Sequence, residues 1–337
     1  RRQRQMCIRD SNKIAQVHFY LGESYRKLKK YNDAISSFYI TTELSPDHVG
    51  AYLLLGVVYQ EKKQFDLAIN AFQKCIEIMP DYAEAHLNLG LCYLLIGDYE
   101  NGWREYEWRR KLIKESSDKL SKEWSGQNLE NKTLLVLDEG ADGNLIHFIR
   151  FIRELKKESC KVIVQCSEEA MSLIKNQKWI DRAITADEYP EHDFYIPIGS
   201  LMNVLKYNPN HHEQTFPYIE VDTDKISKDN TDQVSIGLVF ETDKNSNAHD
   251  DESIEPGLFE NIFTEKHNVI CLDKYVTDKT LPGYCSKHIS YSNLEELSTA
   301  ISNLDLIITV DHLVAHLAGA LNIDTILMLP CVPNWRW

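Results

Sequence analysis

Several features are missing from this chain, and each absence excludes a class of protein. There is no surplus of positive charge: 37 lysines and arginines stand against 51 aspartates and glutamates, a formal charge of −14. Nucleic-acid binders carry a basic footprint, so no nucleic-acid partner is expected. No uncharged apolar run reaches the ~18 residues that a membrane span needs. The longest candidate, His312–Ile323, lies between Asp311 and Asp324. No secretory signal is visible at the start. The eight cysteines, at 7, 75, 92, 160, 166, 271, 285 and 331, form no Cys-x-x-Cys pair. They read as reduced thiols of a cytoplasmic protein, not as a disulfide framework or a zinc site. What is present is globular: 43% hydrophobic and 10% aromatic residues over 337 positions, enough for roughly two domains.

The two ends are unusual. Residues 1–10 are basic in an acidic chain. They are read as a non-native leader and set aside from fold reasoning, with a natural basic arm as the alternative. The chain stops at Pro333-Asn-Trp-Arg-Trp337, whose two large aromatics stay exposed unless they pack back. The last domain is therefore expected to be incomplete.

The first third repeats itself. Gly22, Gly56 and Gly90 are spaced by 34 residues, and so are Leu21, Leu55 and Leu89, and Tyr25, Tyr59 and Tyr93. Ala34, Ala68 and Gly102 keep the step, as do Phe38, Phe72 and Tyr106, and Pro46 and Pro80 close the first two units. This order resembles the tetratricopeptide repeat, with units at 15–48, 49–82 and 83–116 inside a region 11–116. Small residues at Gly22 and Ala34 are expected to let two antiparallel helices approach, with Leu21, Tyr25 and Phe38 filling the space between them. Stacked hairpins give a superhelix with a concave groove, and the resemblance implies a protein partner there. The alternative is bracing of the next domain or self-association. Gly102, Arg109 and the charged stretch 103–110 mark the third unit as a capping unit.

Residues 117–130 are polar and read as a linker anchored by Trp124. Beyond them short apolar runs alternate with amphipathic stretches. Runs at 133–137, 161–165, 182–185 and 193–197 read as strands, with helices at 145–157 and 168–176. A polar segment at 222–233 suggests a lobe boundary. A second set follows, with strands at 234–240, 269–272, 306–310 and 325–329 and helices at 293–302 and 314–321. Such alternation predicts parallel sheets covered by helices. The expected fold class is a helical-repeat superhelix followed by α/β, two Rossmann-like lobes at 131–226 and 233–337, the second truncated. Two such lobes with a cleft between them are the organisation of GT-B glycosyltransferases.

Three segments make that match specific: Glu139-Gly-Ala-Asp-Gly-Asn-Leu-Ile-His-Phe-Ile-Arg150, Ile236-Gly-Leu-Val-Phe240, and Asp305-Leu-Ile-Ile-Thr-Val-Asp-His-Leu-Val-Ala-His-Leu-Ala-Gly-Ala320 with the Trp-Arg-Trp end. Together they resemble bacterial proteins that join tetratricopeptide repeats to a domain similar to the heptosyltransferases, glycosyltransferase family 9. The resemblance implies a nucleotide-diphosphate-sugar donor, a protein or glycan acceptor, and inverting, metal-independent transfer without a cofactor. It places the donor at Gly143, Asp311, His312, His316 and Gly319. The turn from a strand into the helix after Asp311 suits a diphosphate, because free N–H groups and the helix dipole point there. Gly319 and Ala320 are expected to let helix and sheet approach.

The departures are equally definite. The family's Asp general base falls on Asn144, whose amide takes no proton. Asp142 and Glu139 are the substitutes in reach, and Ala141 stands where the family has glycine. His312 and Leu313 replace small or hydroxyl residues. Lys244 is the one cation considered in the loop after 234–240, beside the acidic run Asp250-Asp-Glu252. His312 and His316 are spaced i,i+4, but no His-Glu-x-x-His motif forms, so no metal is expected. A structural, capping role for His316 is the alternative to donor binding. A non-catalytic scaffold with a degenerate transferase domain is the alternative function.

Overall fold

The computed structural model describes residues 2–112, 120, 122–140, 142–155, 159–211, 215–222, 233–241, 253–274, 276 and 279–337, with side chains from residue 11 onward. The chain divides into two compact units. One holds residues 1–116, 206–210 and 331–337, the other 117–205 and 211–330. Among the described residues no helix is long and apolar enough to cross a membrane.

The first unit is a series of helical hairpins: α1 (Arg2–Lys27) with α2 (Tyr31–Leu44), α3 (Val49–Glu61) with α4 (Phe65–Ile78), and α5 (Ala83–Leu95) with α6 (Tyr99–Tyr106). The backbone of α1 runs on through the residues set aside as a leader. The 34-residue period governs the turns as well as the core. Lys29, Lys63 and Gly97 all take positive φ, at 56°, 59° and 83°. One residue further on, the N–H groups of Lys30, Gln64 and Asp98 donate to the carbonyls of Tyr25, Tyr59 and Tyr93. This closes each first helix with a left-handed residue and satisfies a carbonyl that would otherwise lack a donor.

In the first two hairpins the repeat glycine faces an aromatic ring, whereas Gly90 in the third faces the backbone of Glu105 and Tyr106. A Cβ at Gly22 would stand 2.6 Å from the Phe38 ring, and one at Gly56 would stand 2.4 Å from that of Phe72. Phe38, Phe72, Ala34 and Ala68 are fully buried. The expectation for Leu21 needs correction. Leu55 and Leu89 are 2% and 4% exposed, but Leu21 is 39% exposed. The first helices of the second and third hairpins contact the hairpin before them, and among the described residues α1 has no hairpin before it.

The third hairpin ends in a 3₁₀ turn, Glu107–Lys111. Arg109, expected on a polar face, is buried with its guanidinium 4.6 Å from the Tyr106 ring. Of the two terminal aromatics Trp335 packs back, while Trp337 is 38% exposed. Trp335 lies edge-on to Trp103 at 5.0 Å and to Tyr106 at 6.0 Å, and the Trp103 indole N–H donates to the Tyr207 carbonyl at 2.8 Å.

The second unit contains two five-stranded parallel sheets, as the alternation of strands and helices predicts. The first has β1 (Lys122–Glu123), β2 (Thr133–Leu137), β3 (Lys161–Gln165), β4 (Arg182–Ile184) and β5 (Phe194–Pro197) in the order β1-β5-β2-β3-β4. The second has β6 (Val234–Val239), β7 (His267–Cys271), β8 (Lys287–His288), β9 (Leu306–Thr309) and β10 (Thr325–Leu327) in the order β10-β9-β6-β7-β8. Around the central strand the two orders match, β5-β2-β3-β4 against β9-β6-β7-β8. Leu134, Leu135 and Val136 in one sheet and Leu238 and Val239 in the other are fully buried, as strands covered on both faces must be.

The segment read as a linker contributes to this unit. Lys122 and Glu123 pair with Phe194 and Tyr195, and Trp124 and Leu129 are buried. The helix expected over 145–157 is broken into α7 (Asp142–Phe148), a 3₁₀ turn and α8 (Ile152–Leu155). The other helices are α9 (Glu168–Lys175), α10 (Leu201–Val204), α11 (Leu294–Ser302) and α12 (Leu313–Leu321). Of the expected lobe boundary at 222–233, residues 223–232 lie outside the described residues.

Candidate functional site

In each sheet the strand order reverses at one point, between β2 and β5 in the first and between β6 and β9 in the second. Open parallel sheets bind ligands just beyond the carboxyl ends of the strands at that reversal. The segments singled out from the sequence lie at these two places. The turn from β2 into α7 carries Asp138, Glu139, Asp142, Gly143 and Asn144. The turn from β9 into α12 carries Asp311, His312 and His316.

The two turns meet. A Cβ added at Gly143 would stand 3.1 Å from His316 Cδ2, so the glycine leaves the room that the His316 ring occupies. His316 is buried and its ring lies edge-on to His147 at 5.6 Å. His147 Nε2 is 3.2 Å from a guanidinium nitrogen of Arg150 one turn later. Residues 173 positions apart are thus brought together.

The histidine that caps α12 is His312. Its Nδ1 accepts the Val314 N–H at 3.2 Å, and the side chain is buried. His316 lies one turn along the helix. Gly319 departs from the expectation: it sits in the last turn of α12, exposed, with open space where a Cβ would stand. Ala320 is the residue that packs there. Lys244, Ala141 and the acidic run 250–252 lie outside the described residues. Among the described residues no cluster of three histidine, cysteine or acidic side chains is placed to hold a metal.

Three carboxylates surround the β2–α7 turn. Glu139 accepts the Gly199 N–H at 2.7 Å and so ties the end of β2 to the end of β5 across the reversal. Asp142 accepts the Ser167 hydroxyl at 2.8 Å, and that hydroxyl also accepts the Ala170 N–H to cap α9. Asp138, the first residue beyond β2, is different. Its Oδ1 is buried with no hydrogen-bond partner among the described residues. Burial first, and then the nearby Asp142 charge, push its carboxyl up to about 6, against the N–H groups of Gly140 and Glu139.

The second sheet has a matching acid. Asp273, beyond β7, is 2% exposed and accepts the N–H groups of Phe240 and Glu241 at 3.2 and 3.1 Å, fixing the turn after β6. Burial pushes it up to about 6, although those N–H groups and the nearby His312 pull it down. Asp138, Asp273 and His147 were absent from the residues expected from sequence. One signal marks the two acids: each follows an apolar strand directly, or within two residues, as Asp311 follows β9.

Comparison with known proteins bears on both units. A tetratricopeptide-repeat family model matches residues 16–48, and a second model, described as TPR repeat, matches 61–97. No curated protein matches the chain. Among solved structures, MamA is 26% identical over 29% of this chain and 57% of its own, with a TM-score of 0.28. The Arabidopsis OM64 TPR domain is 18% identical over 29% and 80%, at 0.28. TibC, from enterotoxigenic E. coli, is described as a dodecameric iron-containing heptosyltransferase in complex with ADP-D-beta-D-heptose. It is 13% identical over 60% of this chain and 59% of its own, with a TM-score of 0.45. The chain thus spans little more than half the length of MamA and of TibC. The first third of the chain carries tetratricopeptide repeats.

Proposed function

We propose that the α/β unit binds a nucleoside-diphosphate sugar and transfers the sugar to a protein or glycan acceptor recruited by a protein-binding groove of the repeats. The observation that carries this reading is the meeting of Gly143 with His316, which brings together turns from the reversal points of two parallel sheets. A ligand with a nucleoside diphosphate at one end and a sugar at the other suits a crevice lined by both. The α12 N-terminus, Asp311 and His316 form the donor side, where fixed N–H dipoles stabilise the diphosphate as it leaves. The β2–α7 turn forms the acceptor side. The reaction is a single displacement that inverts the anomeric carbon and uses no metal.

Asn144 favours a second reading, a scaffold that keeps the fold and has lost the chemistry, binding partners through its repeats. Calorimetric titration with ADP, UDP, GDP and their sugar conjugates separates the two. The transferase reading expects one base to bind selectively, with binding lost in His316→Ala. No binding by any of them overturns it and leaves the scaffold.

A further inference from the structure

With Asn144 at the position of the family's base, another group must accept the proton if the β2–α7 turn activates a hydroxyl. Asp142 and Glu139 are the substitutes suggested by sequence, and both have structural work. Asp142 holds Ser167, the cap of α9, and Glu139 holds Gly199 across the strand reversal. Each of these carboxylates is already engaged as a structural acceptor. Asp138 is the one acid of the three with a buried oxygen lacking a partner among the described residues. A buried acceptor without a donor is uncommon in folded proteins, and a ligand's O–H is the donor that would satisfy it. Its place beyond the central strand of the first sheet, at the reversal point, is where a ligand of this sheet is expected.

We infer that Asp138 is the general base of the proposed transfer, an inference that rests on the transferase reading above. The Asp138 carboxylate takes the proton of the acceptor hydroxyl. That oxygen forms the new bond to the anomeric carbon, the bond from that carbon to the diphosphate oxygen breaks, and the nucleoside diphosphate leaves with the electron pair. The charged and titratable groups that face Asp138 are Glu139 in the same turn, Asp142 on α7 and the Cys166 thiol after β3. A carboxyl at about 6 is ionised at neutral pH yet more basic than an exposed aspartate, which suits the role.

The test combines Asp138→Asn, Asp142→Asn and Asn144→Asp with a nucleotide titration and a turnover assay, using ADP-, UDP- and GDP-sugars and water or a sugar alcohol as acceptor. Asp138→Asn is expected to bind nucleotide within twofold of the wild type and to lose turnover by roughly 10²- to 10⁴-fold, the usual worth of a general base. Asn144→Asp in that background is expected to restore turnover, and the wild-type rate is expected to level off above about pH 6. Asp138→Asn turnover within fivefold of wild type overturns the inference, as does loss in Asp142→Asn alone. Nucleotide binding without any turnover by the wild type overturns it too. If no nucleotide binds, the transferase reading itself fails. If Asp138→Asn does not fold, Asp138→Glu decides: a bend in the pH profile that moves supports the role, and an unmoved bend removes it.

Discussion

In the repeat array, Gly22 and Gly56 lie under the rings of Phe38 and Phe72, and the same arrangement recurs 34 residues later. In the α/β unit, Gly143 lies under His316. The two uses of glycine look alike locally: a missing Cβ admits a ring. They differ in what specifies them. The array's pairs are 16 residues apart within one hairpin, so sequence period alone predicts them. The Gly143–His316 pair exists only once two separately wound sheets have formed and packed. Local repetition secures packing in one unit, and long-range assembly builds the candidate site in the other. Three experiments test this contrast, from the largest expected effect on stability to the smallest.

The array offers the first. Leu55 and Leu21 occupy the same repeat position with opposite burial, 2% against 39%. Leu55→Ala is expected to destabilise by about 2–5 kcal/mol, the range for a buried leucine. Leu21→Ala is expected to stay within about 0.5 kcal/mol, as exposed substitutions do. Urea denaturation of both variants measures the difference. Equal losses would mean that Leu21 is covered in solution and that position in the period, not the neighbouring hairpin, sets the energy.

The α/β unit offers a test by pH. Asp273 is held up to about 6, so the folded state binds its proton more tightly than the unfolded chain does. A raised carboxyl contributes stability that is full below the unfolded value, near pH 4, and is lost as pH rises through about 6. The size is about 3 kcal/mol for a shift of roughly two pH units. Denaturation at pH 4 and pH 7 should show a smaller fall for Asp273→Asn than for the wild type. An unchanged fall would remove Asp273 as a source of the dependence and leave Asp138, which is raised in the same direction. No apolar substitution in the array is expected to alter this slope.

Much of the fold was legible before any coordinates, because its signals are periodic. The 34-residue step located the hairpins, and the run Thr133–Leu137 coincides with β2 residue for residue. The misses share a cause. Leu21 depends on a neighbour that a period presupposes but does not supply. Gly319 looked like a close-approach glycine, yet α12 turns it outward while Ala320 packs. The residues at 122–124 looked too polar for a sheet, but an edge strand needs only a backbone partner, and β5 supplies it. At the candidate site, Gly143, Asp311 and His316 were readable through the family pattern. Asp138 was not, because the pattern directs attention to the substituted position and away from an acid six residues earlier. A buried Oδ1 without a partner among the described residues, which a sequence does not display, distinguishes Asp138 from Glu139 and Asp142.

The smallest expected change in stability is the most informative about the site. Gly143→Ala adds one methyl group on α7, where alanine is favoured over glycine by up to about 1 kcal/mol. That gain is opposed by the His316 ring, 3.1 Å from the new Cβ, which must give by a few tenths of an ångström. The two terms nearly cancel, so the melting temperature is expected to move little. The proposed nucleotide binding has no such compensation, because a displaced His316 would leave the proposed donor side misaligned. A 1 Å error in such a group can cost 10²-fold, so a shift of a few tenths is expected to weaken binding by about 10-fold or less. Gly56→Ala makes the same chemical change in the array and is expected to do the reverse, losing about 1–3 kcal/mol to overpacking against Phe72 while nucleotide affinity stays put. Thermal melting and calorimetry on the two variants read out both properties. If Gly143→Ala costs stability and spares binding, as Gly56→Ala should, then Gly143 and His316 are a packing pair like Gly56 and Phe72, and the crevice loses its best-defined contact.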